Sequence, residues 1–271
     1  MNPAADPTPK PTGFNVARAC RHGQMVFNVN DQYVGRSLEL YGEYSEGEVA
    51  LFRQIVRAGD VVVDAGANLG AHTVPLAQMV GPTGAVIAFE PQRVVFQTLC
   101  ANLALNSLTN VMAQQAALGG EAGHIVVPNI DYGRIANFGG VALGQYDRGE
   151  KVPVVRLDDL HLPRCRLIKI DVEGMEAEVL RGAGDTIARL MPILYLENDR
   201  KEKAAQLLRI VDSFGYLIHK HEPRLFNPEN YLANGNNVFN TIVSRNLLCF
   251  HHTKPMTVEG SQPVAVPPEV V

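Results

Sequence analysis

Short β-branched runs alternate with amphipathic stretches along most of this chain. Asp60-Val-Val-Val63 reads as a buried parallel strand, and Ala85-Val-Ile-Ala-Phe89 as a second. Between them Ala71–Val80 reads as a helix, with Pro75 near its first turn, where few intrahelical partners exist to lose. A helix over Gln92–Asn106, a third strand over Val111–Ala117, a fourth over Leu167–Asp171, a helix over Glu173–Leu190 and a fifth strand over Ile193–Glu197 continue the alternation. Lys201–Phe214 places Leu207, Leu208, Ile210, Val211 and Phe214 at helical spacing, and Gly215 closes it. Tyr216–His219 and Phe239–Val243 read as a final antiparallel pair. The pattern predicts an α/β fold, a doubly wound and mostly parallel sheet with an antiparallel edge hairpin.

Ahead of that core, residues 14–40 read as short strands such as Met25-Val-Phe-Asn-Val29. Ser45–Val56 reads as a helix opened by a capping box of Ser45 and Glu48. Residues 1–13 and 254–271 are rich in proline and are expected to be a disordered arm and tail. The expected organisation is one domain over 14–253, with a small N-terminal β cap (14–56) and a Rossmann-like core (57–253). Residues 119–153 read as an insertion or hairpin within it.

The candidate chemistry sits at the first strand–helix junction. Asp64-Ala-Gly-Ala-Asn-Leu-Gly70 joins a strand to a helix, and the next strand ends on Glu90. Strand, glycine turn, helix, strand and terminal acid form a nucleotide-binding βαβ unit, in which Glu90 can accept both ribose hydroxyl hydrogens. A dinucleotide site expects G-x-G-x-x-G, and that third glycine is missing here. Asp64 at the head of the loop would repel a pyrophosphate but suits a ligand with an amino group and a sulfonium. The loop resembles the first motif of S-adenosylmethionine-dependent methyltransferases.

Composition narrows the class. The chain has 271 residues, 46% of them hydrophobic, a net charge of −4 and no Lys/Arg run, which argues against a nucleic-acid partner. No apolar h-region opens it, and no stretch approaches the roughly 20 apolar residues that span a bilayer, so no membrane partner is expected. The four cysteines are scattered without a C-x-x-C pair, which fits a reducing cytoplasm better than a zinc or redox site.

Several blocks together carry a family resemblance. They are Gly42-Glu-Tyr-Ser-Glu46, Val63-Asp-Ala-Gly-Ala-Asn-Leu-Gly70, Ala88-Phe-Glu-Pro91, Asn137-Phe-Gly-Gly140, Leu157-Asp-Asp-Leu160 and Ile168-Lys-Ile-Asp-Val-Glu-Gly174, with Val179-Leu-Arg-Gly-Ala183 and Pro192-Ile-Leu-Tyr-Leu-Glu197. Over about residues 40–250 the chain resembles the FkbM family of methyltransferases. The resemblance implies a class I Rossmann-like fold, S-adenosylmethionine as cofactor, and O-methylation of a hydroxyl on a sugar, polyketide or similar small molecule.

The candidate cofactor-binding residues are Asp64, Gly66, Asn68, Gly70 and Glu90, with Ala117 beside the adenine and Glu43 and Tyr44 on a loop that can fold back over the ligand. The candidate catalytic residues are Asp171, at the end of the fourth strand where such sheets meet their acceptor, and His219 and His221, whose ordinary pKa suits a base. Asp171, Glu197 and Asn198 end neighbouring strands, as the metal-binding acids of catechol-type O-methyltransferases do, and their oxygen donors suit Mg²⁺. Two rival readings stand beside this one: an NAD(P)-dependent oxidoreductase, and a non-catalytic cofactor-binding or assembly protein.

Overall fold

The structure, a computed structural model, describes residues 13–144 and 146–266. The chain opens with a hairpin of β1 (Asn15–Cys20) and β2 (Gly23–Asn28), then α1 (Val34–Tyr41) and α2 (Glu46–Ile55). The core follows as β3 (Val61–Ala65), α3 (Thr73–Val80), β4 (Ala85–Phe89), α4 (Arg93–Leu105) and β5 (Val111–Gln114). The insertion is β6 (Ala117–Leu118), β7 (Gly123–Val127) and β8 (Glu150–Val155), which form a separate three-stranded sheet. Then come β9 (Leu167–Ile170), α5 (Glu176–Arg181), α6 (Gly184–Leu190), β10 (Ile193–Glu197), α7 (Lys201–Ser213), β11 (Tyr216–His221), β12 (Asn246–His251) and β13 (Gln262–Pro263).

The main sheet has eight strands in the order β13-β11-β12-β10-β9-β3-β4-β5. β10, β9, β3, β4 and β5 pair in parallel. Their fully buried runs, Val62-Val63, Val86–Phe89 and Leu167–Ile170, are what helices on both faces require. The strand order turns back between β3 and β9, because the chain leaves β3 for β4 and β5 and returns through the insertion. That reversal is where open α/β sheets take their ligands, beyond the carboxyl ends of the strands.

Three expectations change here. Phe239–Val243 is not a strand; the antiparallel strand is β12, and it lies between β10 and β11 instead of at the edge. The helix over Glu173–Leu190 divides into α5 and α6 because Gly182 packs so tightly on Gly119 that a Cβ there would sit 2.0 Å from the Gly119 carbonyl. Asp158 then opens α6 by accepting the N–H groups of Asp185 (3.1 Å) and Thr186 (2.8 Å). The proline-rich tail packs over residues 254–266: Val258 is buried, and Val264 donates its N–H to Ile218 O at 2.9 Å. Residues 1–12 and 267–271, the rest of the expected arm and tail, lie outside the described residues.

Two smaller corrections concern the N-terminal segment. It contains a helix, α1, that the short-strand reading missed. Ser45 stands in the left-handed region at φ 45° and donates its hydroxyl to Glu48 at 2.7 Å, so the pair bond side chain to side chain and cap no backbone N–H.

Candidate active site

The glycine loop is bent by backbone contacts. Gly66 and Ala67 both donate their N–H groups to Phe89 O, at 3.0 and 2.9 Å, which folds the loop over the end of β4. Gly66 has φ +81°, and a Cβ there would lie 1.7 Å from the Asp171 carbonyl oxygen. Only glycine lets the loop lie against the chain leaving β9. Asn68 also takes a positive φ, 50°, and turns its N–H onto Glu90 Oε2 at 2.9 Å. Glu90 Oε1 accepts the Gln92 N–H at 2.8 Å. Burial pushes the Glu90 carboxyl up to about 7, against the pull of those two N–H groups. Each of its oxygens keeps a lone pair for a further donor, such as a ribose hydroxyl.

A cavity of about 710 Å³ opens beside this loop and is lined by Gly66, Asn68, Glu90, Asp171 and Glu197. Tyr44 reaches it from the N-terminal segment. Next to it lies a small apolar pocket walled by Gly66, Phe89, Pro91, Ala116, Ala117 and Val172. The insertion closes one flank. Gln92 donates Nε2–H to Phe138 O at 2.8 Å, and Gly139 sits so close that a Cβ on it would lie 2.7 Å from Asn68 Nδ2. The Asn137-Phe-Gly-Gly140 block is therefore part of the cavity rim.

Charge concentrates around the ends of β9 and β10. Lys169, 2% exposed, donates to Asp64 Oδ1 at 3.0 Å and to Gly66 O at 3.3 Å, and stands 3.6 Å from Asp171 Oδ2. Asp64 also accepts the Thr73 hydroxyl at 2.7 Å and is fully buried, so it braces the loop without lining the cavity. Asp171, Glu173 and Glu197 each bring one oxygen within 4.8 Å of the others. Glu197 Oε2 is buried with no hydrogen-bond partner, and burial beside Asp171 pushes this carboxyl up to about 11. Glu173 is raised to about 7 by burial and by Asp171, although Arg200 bonds it at 2.9 Å.

Other candidate residues fall elsewhere. Glu43 is spent on Arg21 (2.6 Å), Asn227 (2.8 Å) and the Tyr231 N–H (2.9 Å), and ties the N-terminal segment to the loop before β12. Gly70 faces α4, where a Cβ would meet Leu99 at 2.8 Å. Asn198 lines a separate small pocket, and Glu173 takes its place among the clustered oxygens. His219 and His221 do not reach the cavity wall, because β12 separates β11 from β10. His221 bonds Tyr195 OH at 2.8 Å, and His219 lies 3.3 Å from Ser261 Oγ. In their place the structure brings His72 to the wall, from a position directly after the glycine loop. Only its nearness to that motif could have flagged it.

A parallel sheet with a reversal point, a glycine loop facing a strand-end acid, and an adjoining apolar pocket together define a methyltransferase of the class I Rossmann-like kind that uses S-adenosylmethionine. Residues 64–218 match the model of the methyltransferase FkbM domain, and the chain belongs to that family. It is 28% identical over 239 residues to the 31-O-demethyl-FK506 methyltransferase FkbM of Streptomyces tacrolimicus, covering 76% of this chain and 90% of the relative. It is 28% identical over 189 residues to Methyltransferase 1 of Beauveria bassiana, covering 60% of this chain and 74% of the relative. Among solved structures, the FkbM methyltransferase of Methylobacillus flagellatus aligns with TM-score 0.49 and 18% identity over 73% of this chain and 49% of that one. Among the described residues, no helix is long and apolar enough to cross a membrane.

Proposed function

We propose that the protein transfers a methyl group from S-adenosylmethionine to a hydroxyl of a small molecule such as a sugar or polyketide. The observation that carries this reading is the shared cavity: Asp171 faces the same space as Asn68 and Glu90. Glu90 and Asn68 would hold the ribose, and Ala116, Ala117 and Phe89 the adenine. The cofactor supplies an activated methyl group, and the protein supplies position and a route for the proton. Asp171, held beside Lys169, would orient the acceptor. The name of the Streptomyces relative specifies a methyltransferase for an O-demethyl small molecule, which supports oxygen as the acceptor atom. Four free cysteines support a cytoplasmic setting, and the absence of a basic run supports a small-molecule partner over a nucleic acid.

The reading extends to a divalent cation. Asp171, Glu173 and Glu197 would hold it, and the donor set is all oxygen, as Mg²⁺ requires. The partnerless Glu197 oxygen is the feature that favours it, since a buried carboxylate is costly without a counter-charge. A bound ion would lower the pKa of an acceptor hydroxyl.

The test is calorimetry with S-adenosylhomocysteine and with NAD, followed by mass spectrometry of a hydroxylated acceptor panel incubated with S-adenosylmethionine. The expected result is S-adenosylhomocysteine binding and O-methylated product. Binding of NAD with none of S-adenosylhomocysteine would favour an oxidoreductase; cofactor binding without product across the panel would favour a non-catalytic role.

A further inference from the structure

We propose that His72 accepts the proton of the acceptor hydroxyl. The assignment rests on the O-methyltransferase reading above and adds the base it lacks. His72 follows Gly70-Ala71 at the start of α3 and lines the same cavity as Asn68 and Asp171. It is 6% exposed. Tyr44 and Phe52 grip the ring, each with its centroid 5.6 Å away, Phe52 edge-on at 88°. Nε2 is buried without a hydrogen-bond partner. An orphaned polar atom of this kind costs about 1–3 kcal/mol.

The surroundings suit a base that gains and then loses a proton. Glu48 faces the ring from α2, Asp64 from β3, Lys169 from β9 and Asp171 from just beyond it, with the Tyr44 phenol alongside. Burial, helped by Lys169, holds the imidazole below its ordinary pKa, while Glu48, Asp64 and Asp171 pull the other way. The ring is therefore neutral at pH 7 and free to take a proton. Against the effect of burial, the Ser45 hydroxyl and the Lys169 ammonium keep the Glu48 carboxyl below its usual range, and this carboxylate offsets the imidazolium charge once the ring has taken the proton. In the step, the acceptor oxygen forms a bond to the methyl carbon. The sulfur–methyl bond breaks with its electron pair remaining on sulfur, and the hydroxyl proton passes to the His72 imidazole. Solvent takes that proton after the methylated product leaves.

The experiment compares wild type with His72→Gln, His72→Phe and His72→Ala, using an acceptor that the wild type methylates. We expect S-adenosylhomocysteine affinity to stay within about threefold and kcat to fall by about 100-fold or more, the usual range for loss of a general base. Added imidazole should restore part of the turnover of His72→Ala. Turnover of His72→Gln or His72→Phe within about fivefold of wild type would overturn the assignment. So would a loss of cofactor affinity as large as the loss of turnover, which would place His72 with the cofactor. A wild type that binds S-adenosylhomocysteine but methylates no acceptor would instead overturn the parent reading, and this one with it.

Discussion

Lys169 and Asp64 are directly opposed in the parallel pairing of β9 with β3, and the Lys169 ammonium reaches the Asp64 carboxylate at 3.0 Å. Both side chains are almost wholly buried. The register of two strands thus sets a buried ion pair directly beneath the glycine loop. The same ammonium holds Gly66 O and stands beside Asp171, so one charge ties the glycine loop to the carboxylate that follows β9.

Lys169→Met should therefore be severe. Removing one partner leaves Asp64 buried with only the Thr73 hydroxyl, which costs about 3–5 kcal/mol. Urea denaturation is the measurement. A loss below about 1 kcal/mol would mean that water or a rearranged loop replaces the ammonium.

Gly66→Val should abolish cofactor binding and destabilise the fold. The clash is with the Asp171 carbonyl, not with the ligand space, and the positive φ adds strain for any side chain. Gly66→Ala should fail for the same reason. Calorimetry with S-adenosylhomocysteine, checked against melting temperature, decides the point; normal binding by the alanine variant would show that the loop sits apart from β9.

Glu90 makes two predictions. Glu90→Ala should weaken S-adenosylhomocysteine by about tenfold or more, through loss of charge-assisted hydrogen bonds worth roughly 1.5–3 kcal/mol. Its pH effect on stability follows from the raised carboxyl. The folded form holds a proton up to about 7, whereas the unfolded carboxyl loses it near 4.5. Between those values the folded state binds more protons, so stability falls as pH rises through that window. Glu90→Gln has no proton to lose. The ligand-free wild type should lose melting temperature relative to this variant between pH 5 and pH 8, by scans at about unit intervals. Parallel curves would show that Glu90 is solvated.

Chelation tests the acidic cluster. If Asp171, Glu173 and Glu197 hold Mg²⁺, EDTA should abolish turnover, Mg²⁺ should restore it, and Asp171→Asn should lower the affinity for the ion. Full activity in chelator would remove the cation and leave the proton to His72 alone.

The βαβ unit, the parallel core and the family are legible along the chain. These depend on neighbours along the chain: β-branched runs for the strands, the Asp64–Gly70 loop, and Glu90 at the end of the next strand. Asp171 was legible for the same reason, since strand ends in such a sheet share one edge. Whatever depends on which strands become neighbours is fixed only in three dimensions. Insertion of β12 between β10 and β11 carried His219 and His221 away from the cavity, and no local pattern announces that insertion. Glu43 lies one residue from Tyr44, yet only Tyr44 reaches the cavity, because Arg21, Asn227 and the Tyr231 N–H, brought from distant parts of the chain, claim the Glu43 carboxylate. Lys169 stands between Ile168 and Ile170 in the sequence, and only the pairing of β9 with β3 brings it its counter-charge. His72 carries no motif of its own: burial, an unpartnered nitrogen and Glu48 from another helix are properties of packing, and packing is settled only when the whole chain has folded.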